Sequence, residues 1–218
     1  MYIPAHFAPS PATVRDLLAH PGAANLVTMT DAGLLATLVP FVYEPPGPDG
    51  GAGTDAGDGY GSLQGHLARN NPQWSYAPAG EALVIIQGPD AYISPSWYAS
   101  KAEHGRVVPT WNYTTVHVYG RLVVHEDPAW LACHVRRLTG LHEDGREHPW
   151  SVDDAPAPFI GGQLRAIVGV ELLITRIEAK EKHSQNRSDD DARGVAAGLC
   201  AEGLGASAAA VERVRHPR

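Results

Sequence analysis

The sequence predicts an α+β fold: a mostly antiparallel β-sheet closing into a barrel, with peripheral helices. Strand-like apolar runs follow one another at short spacing, and 18 prolines and 23 glycines among 218 residues supply the turns between them. A chain of this length, 44% hydrophobic and 19% charged, suits one domain with a sizeable core and room for a small appendage.

The elements follow in order. Ser10 and Pro11 form a helix start, Val14, Leu17 and Leu18 share one face, and the helix should stop before Pro21. "ANLVTMT" (24–30), a turn at Asp31-Ala32-Gly33 and "LLATLVPF" (34–41) read as a hairpin. Residues 44–59, "EPPGPDGGAGTDAGDG", read as a flexible surface insertion between strands. Gly51, Gly53 and Gly57 echo a dinucleotide fingerprint there, but prolines precede them and the strand-like "YGSLQGHLA" (60–68) follows, so the strand–turn–helix context is missing. Further strands are expected at 82–87, 91–94 and 115–126. Asp127 and Pro128 open a helix with Leu131, Val135 and Leu138 on one face and Gly140 as its stop. A helical segment at 157–167 leads to a last long strand, 168–179, and Ser188 opens a final helix over 189–203. Residues 204–218 are expected to form a mobile tail beyond a domain spanning 1–203. No internal repeat is visible.

Bulk properties narrow the function. A formal charge of −7 disfavours generic nucleic-acid binding. Cys133 and Cys200 have no metal-type spacing and are expected to be buried free thiols. "MYIPAHFAPS" has no signal-peptide pattern and no apolar run reaches membrane-spanning length, so the expected location is cytoplasmic, without a membrane partner.

Three clusters offer chemistry. In "GHLARNNPQW" (65–74), a strand ends near Ala68, Asn71 suits an N-cap and Pro72 the first helical position. The open N–H groups of Gln73 and Trp74, with Arg69 and Asn70, could hold an anion; a capped helix beside a surface arginine explains the same residues. "KEKHSQNRS" (180–188) gathers the donors Lys182, Gln185, Asn186 and Arg187 where a strand leaves the sheet, and the acids 189–191 read as caps of the next helix. Trp97, Tyr98, Trp111 and Tyr113, beside Asn112, either pack a hairpin or wall a flat conjugated ligand. "HEDGREH" (142–148) reads as a polar loop rather than a metal site, and no nucleophile elbow is present.

Taken in order, "HLARNNPQW", "QGPDAYISPSWY", "VVPTWNYTTVHVYG" and "KHSQNR" resemble the signatures of PaiB-type proteins, the FMN-binding negative transcriptional regulators of bacteria. "MYIPAHF" fits as well, and the resemblance covers about residues 1–203. The chain departs from the pattern in the 44–59 insertion, in His183 where an apolar residue is usual, and in the tail.

The resemblance implies an FMN-binding split β-barrel that forms a homodimer with flavin at the subunit interface. On it, Arg69, Asn70 and the amides near Asn71 become the phosphate cradle, with His66, Leu67 and Ala68 leading into it. Thr37, Leu38, Val39 and Pro40 border the isoalloxazine edge, while Trp111, Asn112, Tyr113, Lys182, Gln185, Asn186 and Arg187 complete the cofactor-binding set. The role implied is a flavin-dependent regulator or redox sensor. An FMN-dependent oxidoreductase or flavin reductase is the alternative, and a haem-handling split barrel a third. No helix-turn-helix is visible, so direct DNA binding is disfavoured and a small molecule or protein is the expected partner. Arg213, Arg215 and Arg218 form the only local basic run outside the proposed site.

Overall fold

The computed structural model describes residues 1–31, 33–47, 59–76 and 78–215. Its strands are β1 (Ala23–Thr30), β2 (Gly33–Pro40), β3 (Val42–Glu44), β4 (Ser62–Ala68), β5 (Ala82–Ile93), β6 (Thr110–His125) and β7 (Ile167–Lys182). Its α-helices are α1 (Pro11–Ala19), α2 (Ser100–His104), α3 (Pro128–Glu143), α4 (Ala157–Arg165), α5 (Asp189–Ala201) and α6 (Gly205–Arg215). The strands form one sheet in the order β2-β1-β5-β6-β7-β4-β3. Pairings β1–β2, β1–β5, β3–β4 and β4–β7 are antiparallel.

Local sequence accounts for most boundaries. The Ser10 hydroxyl accepts from the Thr13 N–H at 3.1 Å, capping α1, which ends at Ala19 two residues before Pro21. β1 and β2 pair in continuous register from Ala23–Pro40 to Thr30–Gly33, as the hairpin reading requires. Asp127 caps α3 through the Ala129 N–H, with Pro128 at the first position.

Several expectations need correction. The runs 82–87 and 91–94 are one strand, β5, and β6 begins at Thr110 rather than 115. Gly140 does not stop α3, which continues to Glu143; the Gly140 carbonyl simply accepts from the Asp144 N–H. β7 runs to Lys182, so the polar 180–182 segment is still strand. Both cysteines are free but exposed, not buried. Residues 205–215 form α6, with Ala208, Ala210 and Val211 buried, so this part of the expected mobile tail is packed helix. The insertion reading over 48–58 and Arg218 lie outside the described residues.

The chain divides into two compact units. The first comprises residues 1–15, 87–116 and 178–218. Its core joins Ala91, Ile93 and Tyr98 to Val195, Leu199 and Val211, with Trp97 packed against them. Gly194 and Gly198 make that packing feasible: a Cβ on either would collide with the Trp97 carbonyl or indole ring. The second unit comprises residues 16–86 and 117–177. Leu26, Val39, Leu63, Val84, Val118, Val168, Val170, Leu172 and Ile174 are buried there, alternating along the strands as a one-sided sheet demands, and Phe41 and Leu131 of α3 are buried as well.

Candidate functional site

The expected phosphate cradle lies in the second unit. Its cap is as the sequence predicts: the Asn71 side-chain oxygen accepts from the Gln73 N–H at 2.9 Å and Pro72 follows. The helix it starts is a single 3₁₀ turn, Pro72–Trp74, too short to build a useful dipole. Arg69 points its donors inward along the chain. Nε reaches the Arg165 carbonyl at 2.9 Å, one terminal nitrogen the Ile167 carbonyl at 3.2 Å and the other the Glu126 carboxylate at 2.7 Å. Arg69 therefore ties the end of β4 to the junction of α4 and β7.

The other polar groups of this turn are similarly engaged. Asn71 donates to the Thr37 hydroxyl at 2.9 Å, and that hydroxyl donates to Gln73 Oε1 at 2.6 Å. Buried Gln73 donates through Nε2 to the Leu26 carbonyl and the Thr28 hydroxyl, both at 3.1 Å, and to the Leu35 carbonyl at 3.3 Å. The network locks the turn onto the β1–β2 hairpin. Asn70 is exposed, as are Leu38, Pro40 and Ala68, whereas Val39 and Leu67 face the core. His66 is half-buried, its Nδ1 3.1 Å from His134 Nε2.

The second group of expected residues lies in the first unit, where β6 begins and β7 ends. Lys182 Nζ donates to the Thr110 hydroxyl and, at 2.6 Å, to the Trp111 carbonyl. Both acceptors are neutral. Burial lowers the Lys182 pKa, and the nearby Lys180 and Arg187 charges push in the same direction. The Arg187 guanidinium lies 4.4 Å from the Tyr98 ring centroid. Among the described residues, neither Lys182 nor Arg187 is paired with a carboxylate. Gln185 is engaged in its own turn, accepting from the His183 N–H and donating to the Glu181 carbonyl, each at 2.6 Å. Asn186 is exposed.

Around these donors the polarity is buried. Asn112 donates to the Ser184 hydroxyl at 3.0 Å, while its own side-chain oxygen has no partner. His183 is fully buried; its Nε2 shares a 2.7 Å hydrogen bond with the Thr114 hydroxyl, and burial pushes its pKa down to about 4. Ser184, at φ +65°, takes the left-handed conformation that turns the chain out of β7. Trp111 is 52% exposed and donates to Asp90 at 3.2 Å, with Tyr92 packed edge-on against it. Tyr113 lies 5.4 Å beneath Lys180 Nζ. Trp97 is instead a packing residue of the α5 face.

Ser188 caps α5 by accepting from the Asp191 N–H, the three acids occupy the first turn, and the Asp191 carboxylate accepts from both the Ser100 N–H and hydroxyl. No cluster of His, Cys, Asp or Glu among the described residues could hold a metal ion. No described helix is long and apolar enough to cross a membrane.

This donor set suits an organic anion with an aromatic body. Among the described residues, Lys182 and Arg187 supply positive charge without a carboxylate, Trp111 exposes a flat aromatic face, and Asn112 carries an unmatched acceptor. Seven-stranded topology and donor set together define a flavin-type split barrel, and comparison with known proteins agrees. Residues 1–176 match a family model described as "Putative FMN-binding domain". The chain belongs to that family, and its cofactor is FMN.

Among its relatives is "Protease synthase and sporulation protein PAI 2" of Bacillus subtilis, 32% identical over 193 residues, covering 88% of this chain and 85% of the relative. An uncharacterized protein of Aspergillus fumigatus is 32% identical over 200 residues, 76% of each chain, so relatives are not confined to bacteria. Two solved structures share the fold. The flavocytochrome Anf3 of Azotobacter vinelandii has a TM-score of 0.52 at 15% identity, covering 79% of this chain and 67% of its own. An FAD- and heme-binding protein of Mycobacterium smegmatis has 0.51 at 16% identity, covering 87% of this chain and 78% of its own. The fold-class, family and cofactor expectations are borne out.

Sequence reading named Gln73 only for its backbone N–H, not its side chain, and missed Thr110, Glu126 and His134. Of these three only His134 left a signal: it sits three residues after Leu131 and four before Leu138, on the helix face read as apolar.

Proposed function

We propose that this protein is a homodimeric FMN-dependent regulator or redox sensor in which Lys182 and Arg187 take the flavin phosphate. The uncompensated charge of these two residues carries the assignment. A phosphate dianion gives them the partner that no described carboxylate supplies, through charge-assisted hydrogen bonds. Arg69 could contribute only by releasing Glu126, an exposed pair whose loss costs little. Its two carbonyl contacts favour a role in holding β4. Exposed Trp111 offers an aromatic surface of the kind an isoalloxazine ring stacks on. When bound, FMN supplies one- and two-electron redox chemistry.

Leu34 is 67% exposed, Leu38 63% and Met29 48%, an apolar face on the edge hairpin that a second copy would cover. Arg213 pairs with Glu181 and Arg215 with Asp189, so the C-terminal arginines are poorly placed to grip a duplex. Regulation is then exerted through flavin state or a protein partner.

Titration of the apo-protein with FMN, riboflavin and FAD tests the reading. FMN should bind at least about tenfold more tightly than riboflavin, because several charge-assisted contacts of ~1.5–3 kcal/mol are at stake. Equal affinity for both would remove the phosphate from the site. Light scattering should give twice the chain mass, and NADH oxidation with bound FMN would shift the reading to an oxidoreductase.

A further inference from the structure

Helix α6 reaches back onto both ends of the segment that carries Lys182 and Arg187, and all of these residues belong to the first unit. Its inner face is fixed by packing: Ala208 and Val211 join the core around α5, and buried Ser207 donates to the Asp90 carbonyl at 3.0 Å. Two arginines follow in the last turn. Arg213 donates to the Glu181 carboxylate at 2.5 Å, one residue before Lys182. Arg215 pairs with Asp189, two residues after Arg187, and also donates to the Arg187 carbonyl at 3.4 Å.

The two pairs hold the segment in different ways. The Glu181 side chain is 6% exposed, so without Arg213 it would be a covered carboxylate with no counter-charge. Strand alternation places Glu181 on the covered face of β7 and Lys182 on the other, so Arg213 fixes the strand end without meeting the donor. At the far end the burial is reversed: Asp189 is exposed, and the Arg215 side chain is mostly covered. Between them Ser184 turns the chain, and the Arg187 N–H donates to the Ser184 carbonyl at 3.0 Å. The Arg187 guanidinium lies on Tyr98, which is part of the same core as Val211. Arg187 is thus held through its side chain by Tyr98 and through its carbonyl by Arg215.

We infer that α6 is a strap that positions the anion donors: Arg213 and Arg215 fasten the two ends of residues 181–189 and so hold Lys182 and Arg187 at a set spacing. The inference rests on the reading that these two cations take the flavin phosphate. Arg213 and Arg215 are then positioning residues, which touch the donor segment and not the ligand. Donors that are already in place spare the ligand the entropy of ordering them, so the strap contributes to phosphate affinity without a contact of its own.

Asp189→Asn in the full chain separates positioning from simple electrostatics by the sign of its effect. Asp189 is exposed, so the substitution spares the core. Removing a negative charge near an anion site strengthens anion binding if charge alone matters. Loss of the Arg215 anchor should instead weaken FMN two- to tenfold and leave riboflavin within twofold. Arg215→Lys keeps the charge but not the forked contact, and should weaken FMN as much as Arg215→Gln does. In the apo-protein, Asp189→Asn and Arg215→Gln should each speed hydrogen exchange at the Arg187 amide. FMN binding to Asp189→Asn as tightly as to wild type, or more tightly, overturns the inference, as does wild-type affinity in Arg215→Lys. Equal weakening of FMN and riboflavin also overturns it, since α6 would then only support the fold. Lys182→Ala checks the reading beneath: an unchanged FMN-to-riboflavin ratio in that variant removes the phosphate from these donors and the strap's role with it. A lowered ratio there, with no effect of the Asp189 and Arg215 variants, sinks the strap alone.

Discussion

The runs 66–74 and 180–188 look alike in sequence: a strand end, a cation and several amides. They differ in what the rest of the chain does with them. Arg69 meets a carboxylate 57 positions away and two carbonyls nearly a hundred away. Lys182 meets only a hydroxyl and a carbonyl, and Arg187 an aromatic face. The first run is a structural clasp; the second keeps its charge for something else. Residue type identifies a donor, but only the distant partners decide whether that donor is still available.

The comparison breaks most visibly in stability. Gln73→Ala should cost about 2–4 kcal/mol in urea unfolding, because two buried acceptors, the part-buried Leu35 carbonyl and the Thr37 hydroxyl lose a partner together. Gln185→Ala, in a partly exposed turn, should cost about 1 kcal/mol. Equal losses would mean that both runs are clasps.

Ligand affinity should rank them in reverse. Lys182→Ala should weaken FMN at least about tenfold and leave riboflavin within twofold, by fluorescence titration. Arg69→Ala should change FMN by less than about threefold while lowering the unfolding midpoint. The opposite ranking would return the phosphate to residues 69–71.

A further effect is one that both units should share. His134 and His183 are each held neutral, with pKa values pushed down to about 4 by burial. Unfolded histidine titrates near 6.5, so the unfolded chain binds more protons between those values and stability must fall as pH falls. It should be complete above about pH 6.5 and decline toward pH 4, by at most about 1.4 kcal/mol per pH unit for each histidine. Urea midpoints for His183→Gln and His134→Gln should each show a shallower decline than wild type. A slope confined to one variant would sharpen the contrast between the units.

Much of the fold is legible in the residues. Ser10, Asp127 and Ser188 cap where their identities say they should, and the β1–β2 hairpin needs only its turn and apolar runs. The misreadings share one cause, which is tertiary context overriding a local signal. Gly140 reads as a stop and 82–87 and 91–94 as separate strands, yet α3 continues past Gly140 and β5 runs unbroken from Ala82 to Ile93. Residues 204–215 look polar and tail-like, but their alanines and Val211 bury against α5. In the site, the residue types were visible while their partners were not, since Glu126, Thr110 and His134 meet their targets only through folding.

The first unit draws on three separated segments, the last beginning at residue 178. Trp111 and Lys182 are 71 positions apart. At synthesis rates of about 5–20 residues per second, roughly 4–14 s pass between their emergence from the ribosome. During that interval the nascent β6 has no lysine to anchor, and the face awaiting α5 and α6 stays uncovered. Lys182 is thus made well after the strand whose carbonyl it meets. A ligand that needs Trp111 and Lys182 together can therefore engage only after β7 has been made.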